Sequence, residues 1–242
     1  MPSYRKTAIA VGILFIVCSA ASILSIAPLG SVLDTPLDLA RVAANDTRVV
    51  LTALIEFVWA ASAAGIAVAL YPVLRRHNPA LALGAVAARI VDGVLVLVGT
   101  LGLLVLLTLS KDYLAAGSPD ASSWLASGNM LLGLREWMGG FLMSLPFALG
   151  ALMYYYVLYR ARLVPRWLSG WGLVGAGLCL VATVYAGFTQ ELGFTTVNNV
   201  LNIPIGVQEM VLAVWLIAKG FSRSALAPGA GERSLLPLMT AG

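Results

Sequence analysis

The sequence predicts an all-α membrane protein: a bundle of six transmembrane helices with both termini in the cytoplasm. Hydrophobic residues make up 60% of the 242 positions and charged residues 11%, whereas soluble domains average roughly 45–50% and about 25%. The apolar residues are gathered in six blocks, each near the roughly 20 residues that cross a bilayer. Lys and Arg concentrate in alternate connections between the blocks, which predicts the orientation.

The first block follows Arg5 and Lys6 and is longer than the core of a signal peptide, so it is expected to remain as a helix. The predicted transmembrane helices are residues 7–28, 49–71, 79–109, 130–156, 167–186 and 198–217. We expect residues 1–221 to form one transmembrane domain. Residues 222–242 are expected to form a flexible cytoplasmic tail.

The connections carry helix-start signals and aromatic residues. Asn78 can cap a helix that begins with Pro79. Thr35 to Asp38 resembles a helix start, which predicts a short interfacial helix in the first outer loop. A tyrosine run near the end of the fourth block is expected to anchor the helix at the headgroup level. Its members are Tyr154, Tyr155, Tyr156 and Tyr159.

The orientation follows from Lys and Arg, because basic loops resist translocation. The connections predicted to be cytoplasmic hold ten basic residues: Arg5, Lys6, Arg75, Arg76, Arg160, Arg162, Arg166, Lys219, Arg223 and Arg233. The outer connections hold only Arg41, Arg48 and Lys111. The chain is therefore predicted to be a multi-pass protein of the cell membrane, with the lipid bilayer as its first partner.

Several classes of function are disfavoured. Cys18 and Cys179 lie inside apolar blocks without metal-ligand spacing, and the single histidine is His77 in a loop. Neither a zinc site nor a haem with two histidine ligands is indicated, so we expect no metal and no cofactor. The basic residues are dispersed over short loops rather than along one face, so nucleic acid is not expected as a partner. The oligomeric state is left open.

Several segments resemble one family of bacterial membrane proteins. They are Arg5-Lys6-Thr7 with residues 11–15, residues 71–78 with Ala82-Leu83-Gly84 and Arg89, residues 158–160 with 163–166, and residues 209–217 with 219–221. Together they make the chain similar to the family named domain of unknown function 4386. The resemblance implies a helical protein of the bacterial inner membrane and no particular activity. One departure is Asp92, where the resemblance leads us to expect a glutamate.

Polar and ionisable residues inside the apolar blocks are the candidate site, because a charge in the membrane interior is costly and often functional. The candidates are Glu56, Arg89, Asp92, Arg135, Glu136, Asn202 and Glu209. Arg89 and Asp92 are three residues apart on one helix and can pair. Arg135 and Glu136 point in different directions, and Glu56 is a candidate partner of Arg135. We expect these residues to form a polar layer.

The sixth block carries a polar stripe of Asn198, Asn202 and Glu209, which predicts that this face points into the bundle. Glu209 has no basic residue within one turn, so it is the best candidate for a proton-exchanging group. The candidate set holds four acids and two bases. Some carboxylates must then stay protonated, or a cationic or hydrogen-bond-donating ligand must join them.

Three functions remain open on this pattern. The first is a small-solute or proton-linked transporter or binding protein; residues 139–140, Pro146 and Pro204 would mark discontinuities in its helices. The second is a membrane enzyme that uses a buried carboxyl as a general acid on a lipid or isoprenoid-like substrate. The third is a structural scaffold in which the polar residues only set helix register through interhelical hydrogen bonds.

Overall fold

A computed structural model describes residues 2–117, 121–192, 195–222 and 224–226. The fold class is confirmed: these residues form α-helices and one π-helical turn, and no strand occurs among them. Six helical segments are long and apolar enough to cross a membrane. Of the predicted tail, only residue 222 and residues 224–226 are described, so Arg223 and Arg233 lie outside the described residues.

The helices are α1 Pro2–Leu24, α2 Leu39–Ala44, α3 Asp46–Leu74, α4 Pro79–Ala115, α5 Ala121–Trp137, α6 Ser144–Arg160, α7 Arg166–Thr189 and α8 Thr196–Ala218. The π-helical turn Met138–Leu142 joins α5 and α6, so residues 121–160 form one crossing. Five predicted blocks lie inside the observed helices. The first block ends earlier than predicted, at Leu24, because the ring of Pro28 would clash with the carbonyl of residue 24 in a continued helix.

The six crossings form a closed ring. Each packs against its neighbours in the sequence, and α8 closes the ring by packing on α1. Short connections between consecutive antiparallel helices favour this arrangement. Small residues allow close contact: a Cβ at Gly93 on α4 would lie 2.9 Å from the carbonyl oxygen of Ala60 on α3. The interior of the ring is therefore narrow, and the polar side chains inside it are brought together.

The first connection contains the predicted short helix, α2, but it begins later than expected. Asp38 is its N-cap, and its side chain accepts a hydrogen bond from the amide of Arg41 at 3.1 Å. The predicted cap, Thr35, lies before the helix. A carboxylate at the N-cap also interacts favourably with the helix dipole, which explains why the helix begins at Asp38.

Four chain segments meet at one end of the bundle, which we call the basic end. Arg5 at the start of α1 donates to the carbonyl oxygens of Leu216 and Ala218 at the end of α8, at 3.2 and 3.3 Å. The guanidinium of Arg76 lies 5.0 Å from the ring centre of Tyr4. The amide of Ser222 donates to the carbonyl oxygen of Leu163 at 2.8 Å. The start of α1, the end of α8 and the α3–α4 and α6–α7 turns thus lie together.

The α3–α4 turn is built as predicted, with one difference. The side chain of Asn78 accepts a hydrogen bond from the amide of Leu81 at 2.9 Å and caps α4, which begins at Pro79. The difference is at His77, which lies in the loop but is buried, and no described residue hydrogen-bonds either ring nitrogen. Burial and the neighbouring charge of Arg76 lower the pKa of His77 below its ordinary value. The ring is therefore neutral at pH 7, which makes its burial less costly.

The orientation of the basic end stays a prediction, and cysteine labelling tests it. Arg75→Cys and Ser224→Cys place exposed thiols at the basic end, and Ala116→Cys places one at the other end. Because basic loops stay in the cytoplasm, we expect a membrane-impermeant maleimide to label the first two only after the membrane is opened, and the third in intact cells. The wild-type chain, whose two cysteines are buried, is the control. Labelling of all three in intact cells would contradict the topology.

Candidate functional site

The candidate residues fall into two groups along α4 rather than one polar layer. We call the first the core cluster: Cys18, Arg89, Asp92, Tyr154 and Glu209. The second, the upper cluster, contains Glu56, Thr100, Arg135 and Glu136. Asp92 and Thr100 are eight residues apart on α4, which corresponds to about 12 Å along the helix. Asn202 belongs to neither cluster.

Arg89 lies at the centre of the core cluster and is 2% exposed. One of its terminal nitrogens lies 2.9 Å from a carboxylate oxygen of Asp92, which confirms the predicted pairing. Its Nε donates to the carbonyl oxygen of Ala63 on α3 at 3.4 Å, and its Nη2 donates to the sulfur of Cys18 on α1 at 3.9 Å. Its guanidinium also lies 4.9 Å from the ring centre of Phe147 on α6. One cation therefore joins four helices.

Asp92 is less well satisfied than Arg89. Its contact with Arg89 has the distance of an ion pair but lacks hydrogen-bond geometry, and no described residue hydrogen-bonds either carboxylate oxygen. We regard the ion pair as real, because charge attraction tolerates a poor angle that a hydrogen bond does not. Asp92 is 1% exposed, so its carboxylate retains unused capacity to accept a hydrogen bond inside the bundle.

Glu209 on α8 also belongs to the core cluster. The hydroxyl of Tyr154 donates to a carboxylate oxygen of Glu209 at 3.2 Å. The sequence places no basic residue within one turn of Glu209, but the fold brings Arg89 close enough for their charges to interact. The cluster thus holds two carboxylates and one guanidinium. Glu209 is buried, as predicted for the inward face of the sixth crossing.

Tyr154 and Tyr155 correct an expectation from the sequence. Both were expected at the headgroup level, but both are fully buried. The hydroxyl of Tyr155 donates to the side-chain oxygen of Gln208 at 2.5 Å, and the side-chain nitrogen of Gln208 donates to the carbonyl oxygen of Leu168 at 3.0 Å. The two tyrosines lie at least five residues before the end of α6. They therefore sit about 8 Å inside the helix end, and their hydroxyls find partners on α8.

A glycine makes this burial sterically acceptable. A Cβ at Gly172 on α7 would lie 2.5 Å from the ring of Tyr155. A larger residue would displace the ring, and with it the contact to Gln208. The small residues of α7 are therefore connected to the polar interior as well as to helix packing.

The upper cluster is organised by an ion pair between α3 and α5. Arg135 binds Glu56 through both terminal nitrogens, which confirms the partner predicted for it. Thr100 on α4 donates its hydroxyl to the same carboxylate at 2.6 Å. Arg135 also donates to the carbonyl oxygen of Gly99 at 3.4 Å. A bidentate pair with these additional bonds satisfies both charges.

Glu136 has no such partner. It is exposed, and it makes no ion pair with any described residue. With Glu56, Arg135 and Trp59 it lines a cavity of about 250 Å³ between α3, α4 and α5. Two carboxylates and one guanidinium therefore face this cavity. Its residual charge is negative.

Two further expectations concern the fourth and sixth crossings. Asn202 donates to the carbonyl oxygen of Asn198 at 2.8 Å, so its side chain bonds within α8 and does not reach Glu209. A discontinuity of the fourth crossing is present as the π-helical turn Met138–Leu142, which contains Gly139 and Gly140. The expectation was wrong for Pro146 and Pro204, which lie within the continuous helices α6 and α8. Gly139 lines the cavity. A π turn leaves a local irregularity that often occurs at functional sites.

The comparisons with known proteins agree with this architecture. The family model described as domain of unknown function (DUF4386) matches residues 10–220. The chain belongs to the DUF4386 family. Neither the curated proteins nor the solved structures gave a significant match. Membership in this family implies no particular activity.

Several polar residues of the interior were not among the candidates named from the sequence. Tyr154, Thr100 and Cys18 hydrogen-bond to candidate charges, and each is compatible with an apolar helix and carries no signal of its own. Tyr155 and Gln208 bond to each other beside them. The placement of Gln208 directly before Glu209 was an available signal, since two adjacent polar residues in an apolar block are costly. Within the described part of the chain, no group of His, Cys, Asp and Glu has the arrangement of a metal site.

The stability of the core cluster is tested by removing its cation. Arg89→Leu leaves Asp92 and Glu209 without a buried counter-charge, and we expect it to destabilise the DUF4386 protein by about 3–5 kcal/mol. Thermal melting and gel filtration in detergent measure this loss. The double variant Arg89→Leu/Asp92→Leu removes both partners and should recover much of the stability, because an apolar pair of similar volume is tolerated. A single variant as stable as the wild type would exclude the structural role of Arg89.

Proposed function

We propose that this protein is a proton-linked carrier or binding protein for a small cationic solute. In this proposal the core cluster binds the proton, and the cavity at the upper cluster binds the solute. The proposal rests on the charges of the two clusters and on their separation along α4.

The charge count of the core cluster is the observation that carries the proposal. Asp92 and Glu209 are two buried carboxylates near one guanidinium, that of Arg89. An uncompensated charge in a low-dielectric interior is expensive, so one proton shared by the two carboxylates would make the cluster neutral. Carboxylates of this kind form proton relays in membrane transporters. A purely structural ion pair needs only one of the two acids.

The cavity at the upper cluster suits a small cation. Since Arg135 neutralises Glu56, Glu136 supplies an unpaired negative charge. Trp59 adds an aromatic ring, and an ammonium group is attracted to such a ring face. The volume of about 250 Å³ lies below the roughly 300–1,000 Å³ of drug-sized sites. A compact amine fits this chemistry better than a large organic molecule.

The two clusters are close enough to influence one another. Val96 lines the cavity and Asp92 lies one turn before it on α4, about 6 Å away along the helix. Trp59 also lines the cavity, and its carbonyl oxygen lies 4.0 Å from the sulfur of Cys18, which is the sulfur that Arg89 contacts. A cation bound in the cavity would repel the proton held by the core cluster. Solute binding would therefore promote release of the proton from the core cluster.

An acidic approach to the cavity supports the same proposal. Thr35 lines the cavity, and it also lines a neighbouring cavity of about 550 Å³ at the end of the bundle opposite the basic end. Asp34, Asp38 and Arg41 line that second cavity, and because Arg41 pairs with Asp38, Asp34 leaves it with one net negative charge. Negative side chains at an entrance raise the local concentration of cations.

The proton site is tested without knowledge of the solute. Glu209→Gln should fold, because its amide oxygen can still accept the hydrogen bond of Tyr154. In pH-difference infrared spectra of the protein in lipid nanodiscs, we expect the wild type to show the C=O band of a buried carboxylic acid and Glu209→Gln to lack or shift it. Glu191→Gln, the same change at an exposed position, should leave the band unchanged. A band unaffected by both Glu209→Gln and Asp92→Asn would exclude the core cluster as the proton site.

The cavity is tested with amines of increasing size. In proteoliposomes with an entrapped pH indicator, we expect a compact primary or quaternary amine to drive proton movement across the membrane. Glu136→Gln removes the unpaired charge and should raise the half-saturating concentration about tenfold or more, corresponding to roughly 1.4 kcal/mol or more of lost binding. Glu191→Gln is the matched control. Equal responses of Glu136→Gln and wild type would locate cation recognition elsewhere.

A further inference from the structure

The basic end of the bundle carries positive charge that no carboxylate of the described residues balances. It holds eight cationic side chains: Arg5, Lys6, Arg75, Arg76, Arg160, Arg162, Arg166 and Lys219. Among the described residues, every Asp and Glu lies in the membrane interior or at the opposite end. The ion pairs of the described chain accordingly involve none of these eight cations. The described part of the chain therefore offers no carboxylate to these cations, and they are available to an external anion.

Three of these cations surround a cavity of about 500 Å³ at the basic end. Arg162 lies in the α6–α7 turn, Arg166 is the first residue of α7, and Lys219 follows α8. The hydrogen bond from the amide of Ser222 to the carbonyl of Leu163 joins the two sides. The cavity is therefore held by backbone contacts, and its three cations project from two segments of fixed relative position.

The start of α7 contributes a second feature that favours an anion. Pro165 is the N-cap residue and no side chain caps the helix. The first amide groups of a helix have no partner within it, and they form a positive end that binds phosphate and similar anions. The start of α7 lines the same cavity as the three basic residues Arg162, Arg166 and Lys219.

We propose that this cavity binds the phosphate headgroup of an anionic phospholipid. The remaining lining suits a lipid better than a soluble anion, because the partly exposed ring of Trp215 lies at the cavity above the buried Leu163, Val164 and Phe221. Trp167, in the first turn of α7, is 57% exposed, as expected for an indole at the headgroup level. Basic pockets between transmembrane helices bind anionic lipid headgroups through this combination of charge and apolar surface.

The lipid site is physically separate from the clusters of the proposed function. It involves the α6–α7 turn, the start of α7 and the end of α8, whereas the upper cluster involves α3, α4 and α5. Glu209 of the core cluster lies on α8 ten residues before Lys219, about 15 Å along the helix. Failure of the lipid proposal therefore leaves the proton and solute sites unaffected, and the reverse also holds.

Native mass spectrometry of the full-length protein in detergent tests the lipid site. We expect one dioleoyl phosphatidylglycerol to bind at least about tenfold more tightly than dioleoyl phosphatidylcholine, since each basic residue near an anionic lipid contributes about fivefold in affinity. Arg162→Asn/Arg166→Gln should weaken phosphatidylglycerol binding about twenty-fivefold on the same basis. Asn is chosen at residue 162 because its φ is +53°, a conformation that asparagine tolerates.

Arg75→Gln/Arg76→Gln is the matched control. It removes the same charge from the same end of the bundle, and Arg75, Arg76 and Arg166 all stack on tyrosine rings. We expect the control to retain most of its affinity, and melting in phosphatidylcholine nanodiscs to show that both double variants are folded. Equal loss in both double variants would mean that only the general surface charge attracts the lipid. Displacement of phosphatidylglycerol by inorganic phosphate at equal concentration would point to a soluble anion. Either result would overturn the proposal.

Discussion

The charged guanidinium of Arg89 needs hydrogen-bond and charge partners inside a bundle that excludes water. This requirement explains most of the polar contacts between the helices. It contacts α1 through Cys18, α3 through the carbonyl of Ala63 and α6 through Phe147, and it pairs with Asp92 on its own helix. Its charge also acts on Glu209 of α8. A buried cation without partners would cost several kcal/mol. The observed arrangement of the crossings around Arg89 supplies these partners and offsets this cost.

Close packing makes that arrangement accessible. Lipid tails are as apolar as the helix surfaces, so helices in a membrane associate through close contact and hydrogen bonds rather than through the hydrophobic effect. Gly93 lets α4 approach α3 next to Asp92, and Gly172 leaves room for the ring of Tyr155. The hydroxyls of Tyr154 and Tyr155 then reach α8. Small residues and buried polar residues are thus two parts of one interface.

Charge is distributed unevenly along the axis of the bundle. Cations without described carboxylate partners gather at the basic end, whereas Asp34, Asp38, Asp46 and Asp112 belong to segments at the opposite end. Between them, the core and upper clusters each combine two carboxylates with one guanidinium. One end therefore favours anions and the other favours cations. The proposals for lipid, solute and proton sites follow from this polarity.

Local information in the sequence was sufficient for the architecture. Apolar blocks predicted six crossings, because a helix in lipid must satisfy its own backbone over about 20 residues. Pairs governed by helical spacing were also predictable, such as Arg89 with Asp92 and the cap of Asn78 on α4. Glu56 was also named from the sequence as a candidate partner of Arg135, and the two form an ion pair.

Contacts across the ring could be decided only by the tertiary structure. Tyr154, Tyr155 and Gln208 are compatible with either a lipid-facing or an inward position, and only the rotation of α6 against α7 and α8 places them inside. Arg89 and Glu209 are far apart in the chain, so no local sequence pattern predicts that they lie near each other. The sequence by itself therefore determined the number of crossings, their approximate positions and their charged interior. The tertiary structure decided how those charges divide into two clusters, because that division depends on the relative rotation and depth of helices that lipid contacts alone do not specify.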